Sequence, residues 1–96
     1  MSVSFDNMVD EVFSWIEGES QETIDQFLDT KEENLLMYHN TLGRTIRNHF
    51  RLWEHPWTPI FQVVNGIKVD VSDEHPDAIS MRVIEEVWKR ARKAYR

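Results

Sequence analysis

Residues 31–51, KEENLLMYHNTLGRTIRNHFR, decide the fold. At 3.6 residues per turn, Leu35, His39, Leu42, Ile46, His49, Phe50 and, two residues further on, Trp53 fall within about 100° of arc. Asn40, Arg44, Arg47, Asn48 and Arg51 fall on the opposite side. The spacing predicts one amphipathic helix from Lys31 to Arg51, with two histidines on its apolar face and three arginines on its polar face. Thr30 and Glu33 have the spacing of a capping box, in which hydroxyl and carboxylate satisfy each other's free amides. Gly43 lies at the edge of the stripe. It costs roughly 1 kcal/mol of helix propensity against alanine, and a glycine there lets another helix come close.

On the N-terminal side, Phe5, Met8, Val9, Val12, Phe13 and Ile16 make the stripe of a first helix, capped at Ser4 or Asp6 and ended by Gly18. Ser20 caps a short second helix through Ile24, Phe27 and Leu28 that stops near Asp29. On the C-terminal side, His75-Pro76-Asp77 marks a helix start, with proline in the first turn and a carboxylate at the positive end of the dipole. Its stripe is Ile84, Val87, Trp88, Ala91 and Tyr95, joined by Ser80 and Met81.

Between them lies a loop, Trp53-Glu54-His55-Pro56-Trp57, since a residue before proline avoids the helical region. Trp53 continues the apolar stripe and is expected to be buried; Trp57 is the indole expected at the surface. Residues 60–71 admit two structures. Thr58-Pro59 suits a helix start, with Asn65-Gly66 as its stop. Alternatively, Ile60–Val64 and Ile67–Val71 flank Asn65-Gly66, a strong hairpin signal. The helix followed by a loop is the preferred reading, because an isolated hairpin is marginal.

The 96 residues suit a single domain, 1–96, with acidic helices at 4–29 and a core at 31–96. The absence of cysteine excludes disulfides, thiol catalysis and cysteine-ligated metals. The apolar runs are too short for a membrane span or a secretory leader, so a cytoplasmic protein with no membrane partner is expected. The net charge of −6 hides a division: residues 1–34 hold ten acids against Lys31 alone, a net −9, and residues 35–96 are at +3. Either the two halves neutralise each other, the commoner case, or one pole attracts a partner.

Tyr38-His39-x3-Gly43-x2-Ile46-Arg47-Asn48-x3-Leu52-Trp53, followed by His75-Pro76-Asp77-x2-Ser80, resembles the signature of a small bacterial and phage domain family of unknown function. The resemblance covers roughly residues 35–91, and its matching positions are Tyr38, His39, Gly43, Arg47, Asn48, Trp53, His75, Pro76, Asp77 and Ser80. It implies a mostly helical fold and no particular activity. This chain departs from the family between Pro56 and Glu74, where members have shorter, helical connections, and the acidic N-terminal helices lie outside the resemblance.

Four function classes remain. Tyr38, His39, Asn48, His75, Asp77 and Ser80 are expected to form a polar network locking the long helix to the last one, with Asp77 as partner to His39. The same His39 and Asp77, helped by Arg47, are the residues a small hydrolase would use. Arg44, Arg47 and Arg51 recur on one face, and arginine forks suit phosphates, so a nucleic-acid surface is the first alternative, ahead of the hydrolase. It is not favoured, because the acidic front half repels a polyanion. The four histidines lack zinc-type spacing, His49 and His55 being six apart, and neither metal nor cofactor is expected. The expected protein is an all-α bundle of about four helices with a short fifth helix or hairpin at 60–71. Its expected role is that of a non-enzymatic accessory protein of the phage type, acting on a protein partner and inhibiting it if its acidic helices mimic nucleic acid. Trp57 joins the arginines as a binding candidate.

Overall fold

The computed structural model describes residues 4–54, 57–72 and 75–95. Helix α1, Phe5–Glu17, starts where the Ser4 hydroxyl accepts the Asn7 N–H at 3.2 Å, and it buries Met8, Val9, Val12 and Ile16. Helix α2, Gln21–Asp29, repeats the device with Ser20 and Thr23 and buries Ile24, Phe27 and Leu28. Both follow the sequence expectation. Thr30 does not. Its hydroxyl donates back to the Gln26 carbonyl at 2.8 Å and its own carbonyl accepts from the Trp88 indole at 3.1 Å, so it closes α2 and the capping box with Glu33 does not form.

The helix expected over 31–51 is also corrected. The chain stays coiled but changes pitch twice: a 3₁₀ stretch from Glu32 to Tyr38, a π turn from His39 to Gly43, then α3 over Arg44–His49. The even 100° stripe therefore breaks up. Leu35, Gly43, Ile46, Arg47 and Phe50 are buried, whereas Leu36, Met37, His49 and Trp53 are exposed. Arg51, at φ 54°, turns the chain out of α3 in the left-handed conformation that ends helices. A single 3₁₀ turn, Leu52–Glu54, follows. Of the expected loop, His55 and Pro56 lie outside the described residues.

Residues 60–71 are a hairpin, not a helix. Strands β1, Phe61–Val64, and β2, Ile67–Asp70, pair antiparallel from Phe61↔Asp70 to Val64↔Ile67. Asn65 and Gly66, at φ 52° and 79°, both occupy the left-handed region that a type I′ turn requires. The Val71 N–H donates to the Ile60 carbonyl at 2.7 Å and carries the ladder one rung further. Alternating β-branched residues around Asn-Gly outweighed the Thr58-Pro59 helix signal.

Helix α4, Pro76–Tyr95, is about 30 Å long and organises the rest. It buries Ser80, Val83, Ile84, Val87, Trp88 and Ala91 against α1, α2, α3 and the π turn. Arg90 reaches Asp10 at 2.5 Å and Arg92 donates to the Leu28 carbonyl at 3.1 Å, so basic C-terminal residues do meet the acidic front half. Among the described residues the fold is mainly helical, with four α-helices and a two-stranded sheet, rather than purely all-α. No helix among the described residues is long and apolar enough to cross a membrane.

Candidate functional site

Arg47 is the centre of the polar cluster. It is 7% exposed, and Gly43, one turn earlier on the same side, leaves room for its guanidinium: a β-carbon at Gly43 would stand 3.0 Å from Arg47 Nη1 and 3.6 Å from Ile84 Cδ1. From that slot Arg47 Nη1 donates to Ser80 Oγ at 3.0 Å and Nη2 to the His39 carbonyl at 3.1 Å, while Nε faces Asp77 Oδ1 at 3.6 Å. Ser80 in turn donates to the Asp77 carbonyl at 3.0 Å. One buried fork thus ties the π turn and α3 to the first turns of α4.

The two histidines sit around this fork in different states. His75 Nδ1 accepts the Asp77 backbone N–H at 3.0 Å, a capping contact at the start of α4. The same nitrogen stands 3.9 Å from the Asp77 carboxylate. His39 Nε2 is 4.0 Å from Asp77, beyond hydrogen-bond reach, and its buried Nδ1 has no partner. The expectation that Asp77 satisfies His39 is corrected: Asp77 faces the guanidinium more closely than the imidazole.

The cluster borders an open cleft of about 580 Å³ between the helical body and β2. Leu36, His39, His75, Asp77, Ala78 and Met81 form one wall, and the consecutive residues Lys68–Ser72 form the other. Residues of both hairpin faces line it, Val69 and Val71 from one and Lys68 and Asp70 from the other.

Asp70 anchors the base of the hairpin. Its carboxylate accepts from the Ser72 N–H at 2.9 Å, the Trp57 indole at 3.1 Å and the Ile60 N–H at 3.2 Å. The Ser72 amide foremost holds its pKa below the ordinary value of 3.8; desolvation comes next and opposes it, and the Trp57 indole, the Ile60 amide and the nearby His75 lower it further. Trp53, Trp57 and His75 pack edge to face around this base, with ring centroids 5.5–6.2 Å apart.

The other sequence candidates are dispersed. Tyr38 turns to α2, where its hydroxyl meets Thr30 at 3.2 Å and its ring meets Phe27, and Asn48 is exposed; neither joins the cluster. Arg44, Arg47 and Arg51 do not share a face. Arg44 is exposed, Arg47 is buried, and Arg51 has left the helix and pairs with Glu54. The indoles reverse their expected places: Trp53 is 51% exposed and Trp57 half-buried, because α3 ends before the stripe reaches Trp53 while Trp57 is fastened by Asp70. No group of three or more potential metal ligands occurs among the described residues.

Residues 15–91 match a family model described as a domain of unknown function, DUF6794. The chain belongs to this family. No curated protein and no solved structure matches it. The DUF6794 match contains the Arg47 cluster, the hairpin and most of α4, and it also takes in α2, which the sequence resemblance had left outside.

Sequence reasoning missed two features of this DUF6794 domain. Asp70 gave no signal beyond its position at a strand end. The hairpin's side chains did: register places Ile60, Gln62, Val64, Ile67, Val69 and Val71 on one face and Phe61, Val63, Lys68 and Asp70 on the other. All are exposed except Asp70, which is half-buried.

Proposed function

We propose that this DUF6794 domain is a small non-enzymatic accessory module that docks onto another protein through its β-hairpin. The carrying observation is the face made by Ile60, Val64, Ile67, Val69 and Val71, whose side chains are 40–66% exposed. Five neighbouring aliphatic residues on a two-stranded sheet stay this exposed although Val69 and Val71 also line the cleft beside the helical body, and such patches mark surfaces that another protein covers.

The cluster chemistry supports a binding role over a hydrolytic one. Ser80 is wholly buried, and its hydroxyl is committed to the Asp77 carbonyl and to Arg47. His39 turns its unpartnered nitrogen inward, away from any substrate in the cleft. Dispersal of the three arginines leaves little of the phosphate-reading face. The test is a photo-crosslinking residue at Ile67, with one at the exposed Asn40 as control, in cells that make the protein. A protein adduct is expected at 67, absent at 40 and lost in Val64→Lys. Absence of any adduct at 67 overturns the proposal.

A further inference from the structure

The hairpin residues that line the cleft all come from β2 and its continuation to Ser72, and they come from both faces. A cleft bounded in that way lies beyond the outer edge of the strand. Register shows what this edge offers. The Val71 N–H donates to the Ile60 carbonyl, so the pairs 60–71, 62–69 and 64–67 share the hydrogen bonds of the ladder. At the intervening positions, Lys68 and Asp70, the backbone N–H and C=O point away from β1, and no backbone group of the described residues takes them up. Two donors and two acceptors, repeating about every 6.8 Å, thus border the cleft.

We propose that the cleft takes an extended segment of another protein, which adds to β2 as a third strand. This inference rests on the hairpin being a docking element and says how it docks. An extended chain repeats its own N–H and C=O groups at the spacing of the β2 edge, and a helix does not. A third strand also completes a two-stranded sheet that is marginal alone.

The walls set the side chains. Val69 and Val71 stand on one side and Leu36, Ala78 and Met81 on the other, with Leu36 66% exposed. Side chains of an added strand alternate between the two hairpin faces, so every second one falls beside Val69 and Val71. The segment therefore carries aliphatic residues at alternate positions, and the residues between them, on the face of Lys68 and Asp70, are polar. Backbone bonds supply affinity and the alternate side chains supply selectivity. The volume of about 580 Å³ lies within the roughly 300–1,000 Å³ of ligand sites, and the five residues of Lys68–Ser72 span about 17 Å.

Selection of displayed random heptapeptides on the full chain, followed by synthesis of those selected, tests this. The selected sequences should place aliphatic residues at every second position. N-methylation of one peptide amide at a time, read by fluorescence anisotropy, should weaken binding at least tenfold at alternate positions and little between them, the signature of pairing along one edge. This scan leaves the protein itself unaltered. Lys68→Pro removes an outward N–H without touching the ladder between β1 and β2, and it should also weaken binding at least tenfold. Lys68→Ala, which keeps the amide, and Val63→Pro, which removes the equivalent donor from the outer edge of β1, should not. Failure to select any peptide, N-methyl effects without a period of two, or equal loss in Lys68→Pro and Val63→Pro overturns the inference. A protein that crosslinks at 67 yet binds no heptapeptide keeps the docking proposal and loses only this inference. Absence of both crosslink and bound peptide removes both.

Discussion

Replacing Arg47 by methionine removes the guanidinium and keeps much of the stem, so it isolates the fork that joins α3 to α4. Two charge-assisted hydrogen bonds are lost, to Ser80 Oγ and to the His39 carbonyl. Bonds of this kind contribute about 1.5–3 kcal/mol each. The methionine recovers part of this by apolar packing, since buried charges lose much of their Coulomb gain to desolvation. Asp77 is 46% exposed, so it regains water and adds less than about 1 kcal/mol. The expected loss is about 2–3 kcal/mol for Arg47→Met, and about 1 more for Arg47→Ala, which also empties the slot beside Gly43. Urea unfolding followed by circular dichroism reads this as a fall in midpoint of about 1–2 M. His39→Ala should cost less than about 1 kcal/mol, because neither ring nitrogen has a hydrogen-bond partner in reach. An Arg47→Met protein within 0.5 kcal/mol of wild type would refute the reasoning. So would a His39→Ala loss larger than that of Arg47→Met.

Gly43, beside the Arg47 guanidinium, and Asp70, at the hairpin base, offer two further perturbations. Gly43→Ala should destabilise by about 1 kcal/mol despite alanine's better helix propensity, because the added carbon meets Arg47 Nη1 at 3.0 Å and two hydrogen bonds fix that nitrogen's group. In an Arg47→Met background the same change should be neutral or stabilising, and equal effects in both backgrounds would refute the coupling. Asp70 supplies a pH dependence. Its folded pKa is depressed, so its contribution is complete above the ordinary carboxylate range and is lost as pH falls through the lower folded value. NMR shifts of the Trp57 indole and of the Ser72 and Ile60 amides should titrate together with a midpoint below 3.8, and the step should vanish in Asp70→Asn. A midpoint at or above 3.8 contradicts this assignment.

What the sequence disclosed depended on whether local chemistry or tertiary packing decided each element. Ser4, Ser20 and Pro76 set helix starts through contacts within one turn, and their elements were legible. Arg47 was not legible as a buried residue, because a straight helix of constant pitch puts it with Arg44 and Arg51. Its burial comes from α4, which brings Ser80 and the chain near Asp77 against that side. Yet a partial signal existed. Gly43 and Arg47 are four apart, hence neighbours on one side of a helix, and Ser80 is a small polar residue in the second motif. A glycine one turn before an arginine, matched by a serine elsewhere, is the pattern of a guanidinium housed between two helices. The hairpin shows the opposite limit. Asn65-Gly66 specified the turn locally, but a bias against isolated hairpins opposed it, and that bias assumes a hairpin must lie on its own helices. This one does not. An element marginal alone, whose aliphatic face stays 40–66% exposed, is the one for which we propose a partner outside the chain. The failure of the sequence rule and the proposed docking surface thus have one cause.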